Sequence, residues 1–288
     1  MRASIANFAA GCNAEFAPSS QAAVRADEPF LLAGRGGGVI LAWMNPPHRW
    51  LLAACLFSAL PAAFTDTKAD TKREVFEQPS DEILRLDYLL TLPAGYGEKS
   101  GQRWPLVVFL HGAGERGGQV DLVAKHGPPK RVAEGAAFPF ILVSPQCPAE
   151  EWWTEQPVLE LIDHLEKTLR IDSARIYLTG LSMGGYGTWH FATLAPNRFA
   201  AIAPICGGGV PYKMRWIKHL PVWAFHGAKD SAVPLDESAR LVEALKKAGN
   251  TETKFTVDPE AGHDSWTAAY AGPELYDWLL SHALPAKP

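Results

Sequence analysis

Short apolar runs alternate along most of this chain with stretches in which apolar side chains recur every three or four residues. Leu84-Arg85-Leu86-Asp87-Tyr88 opens the first run with an alternation of apolar and polar side chains, the period of a strand with one wet face, and the run extends to Leu92. Pro105–Leu110 is apolar without alternation, as expected of a strand buried on both faces of a parallel sheet. Phe138–Val143, Arg175–Thr179, Ala200–Ile205, Val222–Phe225 and Lys254–Val257 follow as further strands. Between them, Val158–Leu169 sets Leu159, Ile162, Leu165 and Leu169 at helical spacing, and Ser238–Lys247 does so with Leu241, Val242 and Leu245. Strands and helices alternating at these lengths predict an α/β fold: a mostly parallel sheet with helices on both faces. Leu84–Leu92 precedes the turn region Pro93–Gly97 and is expected to be an antiparallel edge strand.

The first part of the chain does not share this pattern. From Met44 it reads Asn45-Pro46-Pro47-His48-Arg49, then an apolar run from Trp50 to Phe64 with small residues at Pro61-Ala62-Ala63. A basic flank, a short apolar run and small residues are the parts of an export signal. The run is shorter than the roughly 20 residues that span a bilayer, so no stable membrane partner is expected. Residues 1–63 are therefore read as an upstream extension plus signal peptide, with Met44 as the start, residues 64–81 as a polar linker and 82–288 as one catalytic domain. The expected location is secreted or periplasmic. Leu52-Ala53-Ala54-Cys55 looks like a lipoprotein site, but few apolar residues precede it after Arg49, so lipidation is disfavoured.

Composition narrows the function classes. The chain has 288 residues, 47% of them apolar, and a net charge of −4 with no long run of one sign, which argues against a nucleic-acid partner. Of the four cysteines, Cys12 and Cys55 fall in the upstream segment. Cys147 and Cys206 each follow a strand-like run, leaving open one disulfide or two buried thiols. No spacing resembles a zinc site, so no metal is expected.

The chemistry is concentrated at strand ends. Gly180-Leu181-Ser182-Met183-Gly184-Gly185 lies between the strand Arg175–Thr179 and the helix-like Tyr186–Phe191. A serine between glycines at a strand-to-helix turn has the form of a nucleophile elbow, which makes Ser182 the candidate nucleophile. Such a serine needs a base, a group to orient that base, and donors for an oxyanion. Asp230 follows the strand Val222–Phe225, in His226-Gly227-Ala228-Lys229-Asp230. His263 follows Lys254–Val257, in Ala261-Gly262-His263-Asp264-Ser265-Trp266. The order Ser182, Asp230, His263 is that of an α/β-hydrolase. Backbone N–H groups of Met183, after the nucleophile, and of Ala113, in His111-Gly112-Ala113-Gly114, are the candidate oxyanion donors.

From about Leu86 to His282 the chain resembles the α/β-hydrolase esterases related to dienelactone hydrolase and the phospholipase/carboxylesterase group, including prolyl-oligopeptidase-like and carbohydrate-esterase-like proteins. The resemblance rests on Phe109–Gly117, Lys125–Pro129, Ser144–Pro148, the elbow, His226–Pro234 and Gly262–Trp266. It implies that family's fold, the triad Ser182, Asp230 and His263, and ester hydrolysis without a metal or organic cofactor.

Each assignment has a rival. Asp264 or Asp258 competes with Asp230, although a residue adjacent to His263 rarely reaches its Nδ1. His111 and His226 read as loop holders and His190 as a satisfied buried histidine. Glu115 and Arg116 read as an ion pair anchoring the oxyanion loop. Trp152, Trp153 and Trp266 are candidate substrate platforms, with burial as the competing role for each. No connection is long enough for a large cap domain, so an open, shallow site is expected, suited to short acyl chains or to esters on a bulky soluble carrier. The function expected is therefore a serine carboxylesterase. A feruloyl or acetyl-xylan esterase acting on plant polysaccharide is the alternative, and a peptidase or non-catalytic binding module is disfavoured. Nothing in the sequence determines oligomeric state.

Overall fold

A computed structural model describes residues 70–78, 84–98 and 100–285. Met44, the apolar run Trp50–Phe64, Cys12 and Cys55 lie outside the described residues. Among those described, no helix is long and apolar enough to cross a membrane.

Among the described residues eight strands form one sheet: β1 (Asp70–Gln78), β2 (Leu84–Leu92), β3 (Trp104–Leu110), β4 (Ile141–Pro145), β5 (Ile171–Leu181), β6 (Ala201–Ile205), β7 (Val222–Gly227) and β8 (Thr253–Asp258). Their spatial order is β1-β2-β4-β3-β5-β6-β7-β8. β2 pairs antiparallel with both neighbours, and the pairings from β4 to β8 are parallel, so β2 alone runs against the others. The α-helices described with them are α1 (Gly127–Ala133), α2 (Val158–Thr168), α3 (Met183–Leu194), α4 (Asp236–Lys247), α5 (Trp266–Ala269) and α6 (Glu274–Leu280). This is the α/β-hydrolase architecture, and no inserted cap domain occurs among the described residues.

The central strands show why the sheet is covered on both faces. Along β3, Leu106, Val108 and Leu110 join one core, with side chains of α2, α3 and α4. Val107 and Phe109 point the other way, into a core built with Leu275, Tyr276 and Leu279 of α6. Successive strand residues face opposite sides, so an uninterrupted apolar run feeds two hydrophobic layers at once.

Two expectations need correction. The stretch read as linker contains β1, which makes β1 the edge and places β2 one strand further in. β1 has the sequence DTKREVFEQ, in which Phe76 is buried while Lys72, Arg73 and Val75 stay in solvent. Charges protect an exposed edge from pairing with other chains, and they remove the alternation that reveals a strand. The second correction concerns α2, which buries Val158, Leu161, Ile162 and Leu165, whereas Leu159 and Leu169 are only partly covered.

Candidate active site

The site is built where β5, β7 and β8 end. β5 runs through Leu181, and α3 begins at Met183, leaving Ser182 alone to turn the chain, at φ 52° and ψ −117°. A non-glycine residue at this φ is strained and is held there by its surroundings. The surroundings are close backbones: a Cβ on Gly184 would strike the Leu110 and His111 carbonyls, and one on Gly185 would strike the Ile205 carbonyl. The glycines therefore let α3 start directly over β3 and β6, and Ser182 N–H is tied to the Ile205 carbonyl at 3.0 Å.

His263 reaches this serine from the loop after β8, its Nε2 lying 2.9 Å from Ser182 Oγ. Its Nδ1 lies 2.7 Å from Asp230 Oδ2, with the Asp230 side chain fully buried and the imidazole about a quarter exposed. The other Asp230 oxygen accepts the backbone N–H groups of Ala232 (2.9 Å) and Val233 (2.8 Å). With both carboxylate oxygens occupied, the imidazole is directed to donate from Nδ1 and to accept from the serine at Nε2. The two supporting loops are joined through backbone: Ala228 N–H donates to the Asp258 carbonyl and Lys229 N–H to the Ala261 carbonyl. Gly227 makes this approach possible, because a Cβ there would strike the Gly262 and Ala261 carbonyls.

The rival carboxylates are engaged elsewhere. Asp264 accepts the backbone N–H and hydroxyl of Thr267, and Asp258 accepts the N–H groups of Glu260 and Ala261.

Met183 opens α3 directly after Ser182, so its N–H has no acceptor within the helix. The loop bearing Ala113 runs beside Ser182: a Cβ on Gly112 would lie 3.7 Å from Ser182 Cβ. His111 holds this loop. It is fully buried, its Nδ1 donates to the Gly112 carbonyl at 2.6 Å, and its Nε2 accepts the Cys147 N–H at 2.9 Å. Burial lowers its pKa to about 4, so the ring is neutral when it makes these bonds. Glu115 and Arg116 do not pair. Glu115 is buried near Lys125 (3.8 Å) and His126 (3.7 Å), while Arg116 donates to the Ala113 and Glu151 carbonyls. Adjacent side chains on a 3-10 turn diverge, which a motif alone does not reveal.

The three tryptophans have separate fates. Trp153 is fully buried, its indole N–H donating to the His111 carbonyl at 2.9 Å, so it anchors the oxyanion loop instead of facing solvent. Trp152 is 49% exposed and meets Tyr186, one helical turn past Ser182, edge-on at 6.5 Å between ring centroids. Trp266 packs edge-on against His263 at 5.2 Å. A cavity of about 150 Å³ lies along α3 beyond Tyr186, lined by Trp189, His190, Gly208, Lys213 and Met214 among others. His190, read from sequence as buried, is half-buried and borders this cavity.

Cys147 and Cys206 are buried as thiols and are not joined in a disulfide. Burial pushes the Cys206 thiol up to about 12, which keeps it protonated beside the nucleophile. Its sulfur lies within 4.8 Å of ligand atoms of Asp230 and His263. The latter two already bond each other and the thiol holds its proton, so the arrangement favours proton transfer over ion binding.

Residues 153–271 match the Phospholipase/Carboxylesterase family pattern. The bifunctional acetylxylan esterase/xylanase XynS20E of Neocallimastix patriciarum is 36% identical over 78 residues, covering 27% of this chain and 12% of that protein. The Aspergillus terreus protein named "Probable feruloyl esterase C" is 24% identical over 225 residues, covering 74% of this chain and 80% of its own. A thermostable esterase of known structure is 33% identical with TM-score 0.65, covering 74% of this chain and 63% of that one. The chain thus spans about an eighth of the first relative and less than two thirds of the solved esterase.

The fold is that of the α/β-hydrolases, and the chain is similar to proteins of the phospholipase/carboxylesterase group, to a solved esterase and to a Yersinia pestis protein named "Putative carboxymethylenebutenolidase".

Proposed function

We propose that this protein is a serine carboxylesterase that hydrolyses short-chain or otherwise accessible carboxylic esters through an acyl-enzyme on Ser182. The observation that carries this reading is the unbroken hydrogen-bond chain from Ser182 Oγ through His263 to Asp230 on a strained elbow. His263 Nε2 takes the proton as Oγ attacks the ester carbonyl, and the developing oxyanion is received by the N–H groups of Met183 and Ala113. His263 then gives its proton to the departing alcohol, and water, activated by the same imidazole, releases the acid. No metal or organic cofactor enters this scheme.

A second reading, an ester carried on plant polysaccharide, is favoured by exposed Trp152 beside Tyr186 and by the esterases among the relatives. An aromatic face at this position suits a feruloyl ring or a sugar. A panel of p-nitrophenyl esters, methyl ferulate, acetylated xylan and a peptide amide tests both readings. Turnover of simple short esters supports the first; preference for ferulate or xylan esters supports the second; turnover of the amide alone contradicts both. We also propose export, on the strength of the segment Trp50–Phe64. N-terminal sequencing of protein collected outside the cytoplasm checks it, and a mature chain still carrying that segment contradicts it.

A further inference from the structure

Trp189 is 1% exposed, yet its indole N–H meets no acceptor among the described residues. A donor buried without a partner is costly, and in a folded protein it marks a place where something else supplies the acceptor. The Trp189 side chain lines the cavity of about 150 Å³ that runs along α3 from Tyr186. The other side chains there that can donate or accept are Thr154, Tyr186, His190, Thr193 and Lys213, and no Asp or Glu is among the lining residues. The Thr193 hydroxyl is spent on the His190 carbonyl. Lys213, on the 3-10 turn Pro211–Ile217, is half-buried and makes no ion pair among the described residues; its ammonium lies 5.8 Å from the centre of the Trp216 ring. Burial, and after it the charge of Lys213, holds the His190 imidazole below its ordinary pKa, so the ammonium's field reaches the cavity. Glu237 comes close to Gly208 at the edge of this space, but its carboxylate is bonded to Arg240. Donors and a cation thus face the cavity, and an occupant that satisfies them must bring anionic oxygen.

We propose that this cavity is a subsite for the far end of the acyl group and that it takes a terminal carboxylate, so that half-esters of dicarboxylic acids are a preferred substrate class. The proposal rests on Ser182 as the acylated residue and goes beyond that reading by naming the acyl group that suits the enzyme. Tyr186 stands one helical turn past Ser182 and borders both the cavity and exposed Trp152, so a chain leaving the serine along α3 reaches the cavity over these rings. Thr154, from the loop that carries Trp152, closes the same space. His263, which gives its proton to the departing alcohol, packs instead against Trp266, and neither residue lines this cavity. Alcohol and acyl chain therefore have separate places. Length decides which acyl groups benefit. Trp189 lies two helical turns past Ser182, roughly 10 Å along the axis. A short acyl group stops at Tyr186, and a long apolar one leaves the Trp189 N–H without an acceptor and Lys213 without a counter-charge. A chain of that length ending in a carboxylate meets both.

Two readouts on the full chain test this. With nitrogen-15 tryptophan, the Trp189 indole N–H resonance, assigned by its absence from Trp189→Phe, is expected to shift saturably with suberate. It should stay in place with the uncharged diol of the same length. A resonance that suberate leaves unmoved means that water alone serves this N–H, and overturns the subsite. Should Trp189→Phe fail to fold, the assignment comes from the resonance that Lys213→Met perturbs, a change confined to a half-buried side chain. In kinetics, p-nitrophenyl hydrogen suberate is expected to exceed p-nitrophenyl octanoate in kcat/KM by about tenfold, the worth of one charge-assisted hydrogen bond. Lys213→Met is expected to bring that ratio close to one, whereas the hydrogen succinate ester, too short to reach the cavity, should show no dependence on Lys213. A ratio near one in the wild type, or a preference that Lys213→Met leaves intact, overturns the acyl-end role. The resonance needs no turnover and can be followed in Ser182→Ala, so the two assignments fail separately. A shift with suberate in a chain that turns over no ester counts against Ser182 as nucleophile and supports the binding site.

Discussion

His263 and Asp230 are joined by a 2.7 Å hydrogen bond at Nδ1, while the second Asp230 oxygen is spent on two backbone N–H groups of its own loop. The carboxylate is thereby fixed before any substrate arrives, and the imidazole tautomer is fixed with it. Asp230→Asn presents an amide of the same shape, which leaves the wrong nitrogen of His263 protonated. kcat/KM for p-nitrophenyl acetate is expected to fall by about 10⁴-fold. Asp264→Asn, which disturbs only a cap on Thr267, is expected to change it by less than about twofold. Equal losses in the two variants would contradict the assignment.

The neutral, buried His111 predicts a pH dependence of stability. Its folded-state pKa of about 4 lies below the usual value near 6.5, so between these limits the unfolded chain binds a proton that the native chain refuses. Stability is therefore expected to fall as pH drops from about 6.5 toward about 4 and to lose this dependence below, a range on the order of 3 kcal/mol. Urea unfolding of the wild type and of His111→Asn at several pH values in that window checks it. The variant should be less stable at neutral pH and show a flatter slope; an unchanged slope contradicts the assignment.

Trp152 and Trp153 are neighbours in sequence with opposite surroundings, and their variants should separate stability from binding. Trp153→Ala opens a cavity in the core and breaks the bond to the His111 carbonyl, so a loss of roughly 3–5 kcal/mol is expected in denaturant unfolding. Trp152→Ala is expected to shift stability by less than about 0.5 kcal/mol. It should raise KM for methyl ferulate more than for the acetate ester.

Because Cys147 and Cys206 are thiols and not a disulfide, reductant is expected to leave the thermal midpoint unchanged. A drop of several degrees on reduction, with two thiols newly titratable in the denatured chain, would reveal a bridge instead.

These residues also show how far a sequence can be read. β3 and the strands beside it are buried on both faces, and that burial demands uninterrupted apolar runs, so they were legible. β1 was not, because an exposed edge strand is selected for charge and keeps only Phe76 in the core. Ser182, Asp230 and His263 were legible because a parallel sheet brings the ends of its strands together, making position after a strand nearly equivalent to position in the site. The direction of a loop side chain is different. Whether Trp152 or Trp153 turns inward depends on contacts with His111 and Tyr186, each more than 30 residues away, and no local pattern encodes that. The partners of Glu115 were hidden for the same reason: Lys125 ends the 3-10 turn Val120–Lys125 and His126 precedes α1, both about ten residues further along the chain.

The central claim is that Ser182 is acylated. Intact-mass analysis after treatment with a fluorophosphonate, followed by peptide mapping, tests it most directly. One adduct per chain is expected, located on Ser182, with labelling absent from Ser182→Ala and kcat for esters reduced by on the order of 10⁶-fold in that variant. Labelling that survives in Ser182→Ala, or ester turnover that does, would contradict it.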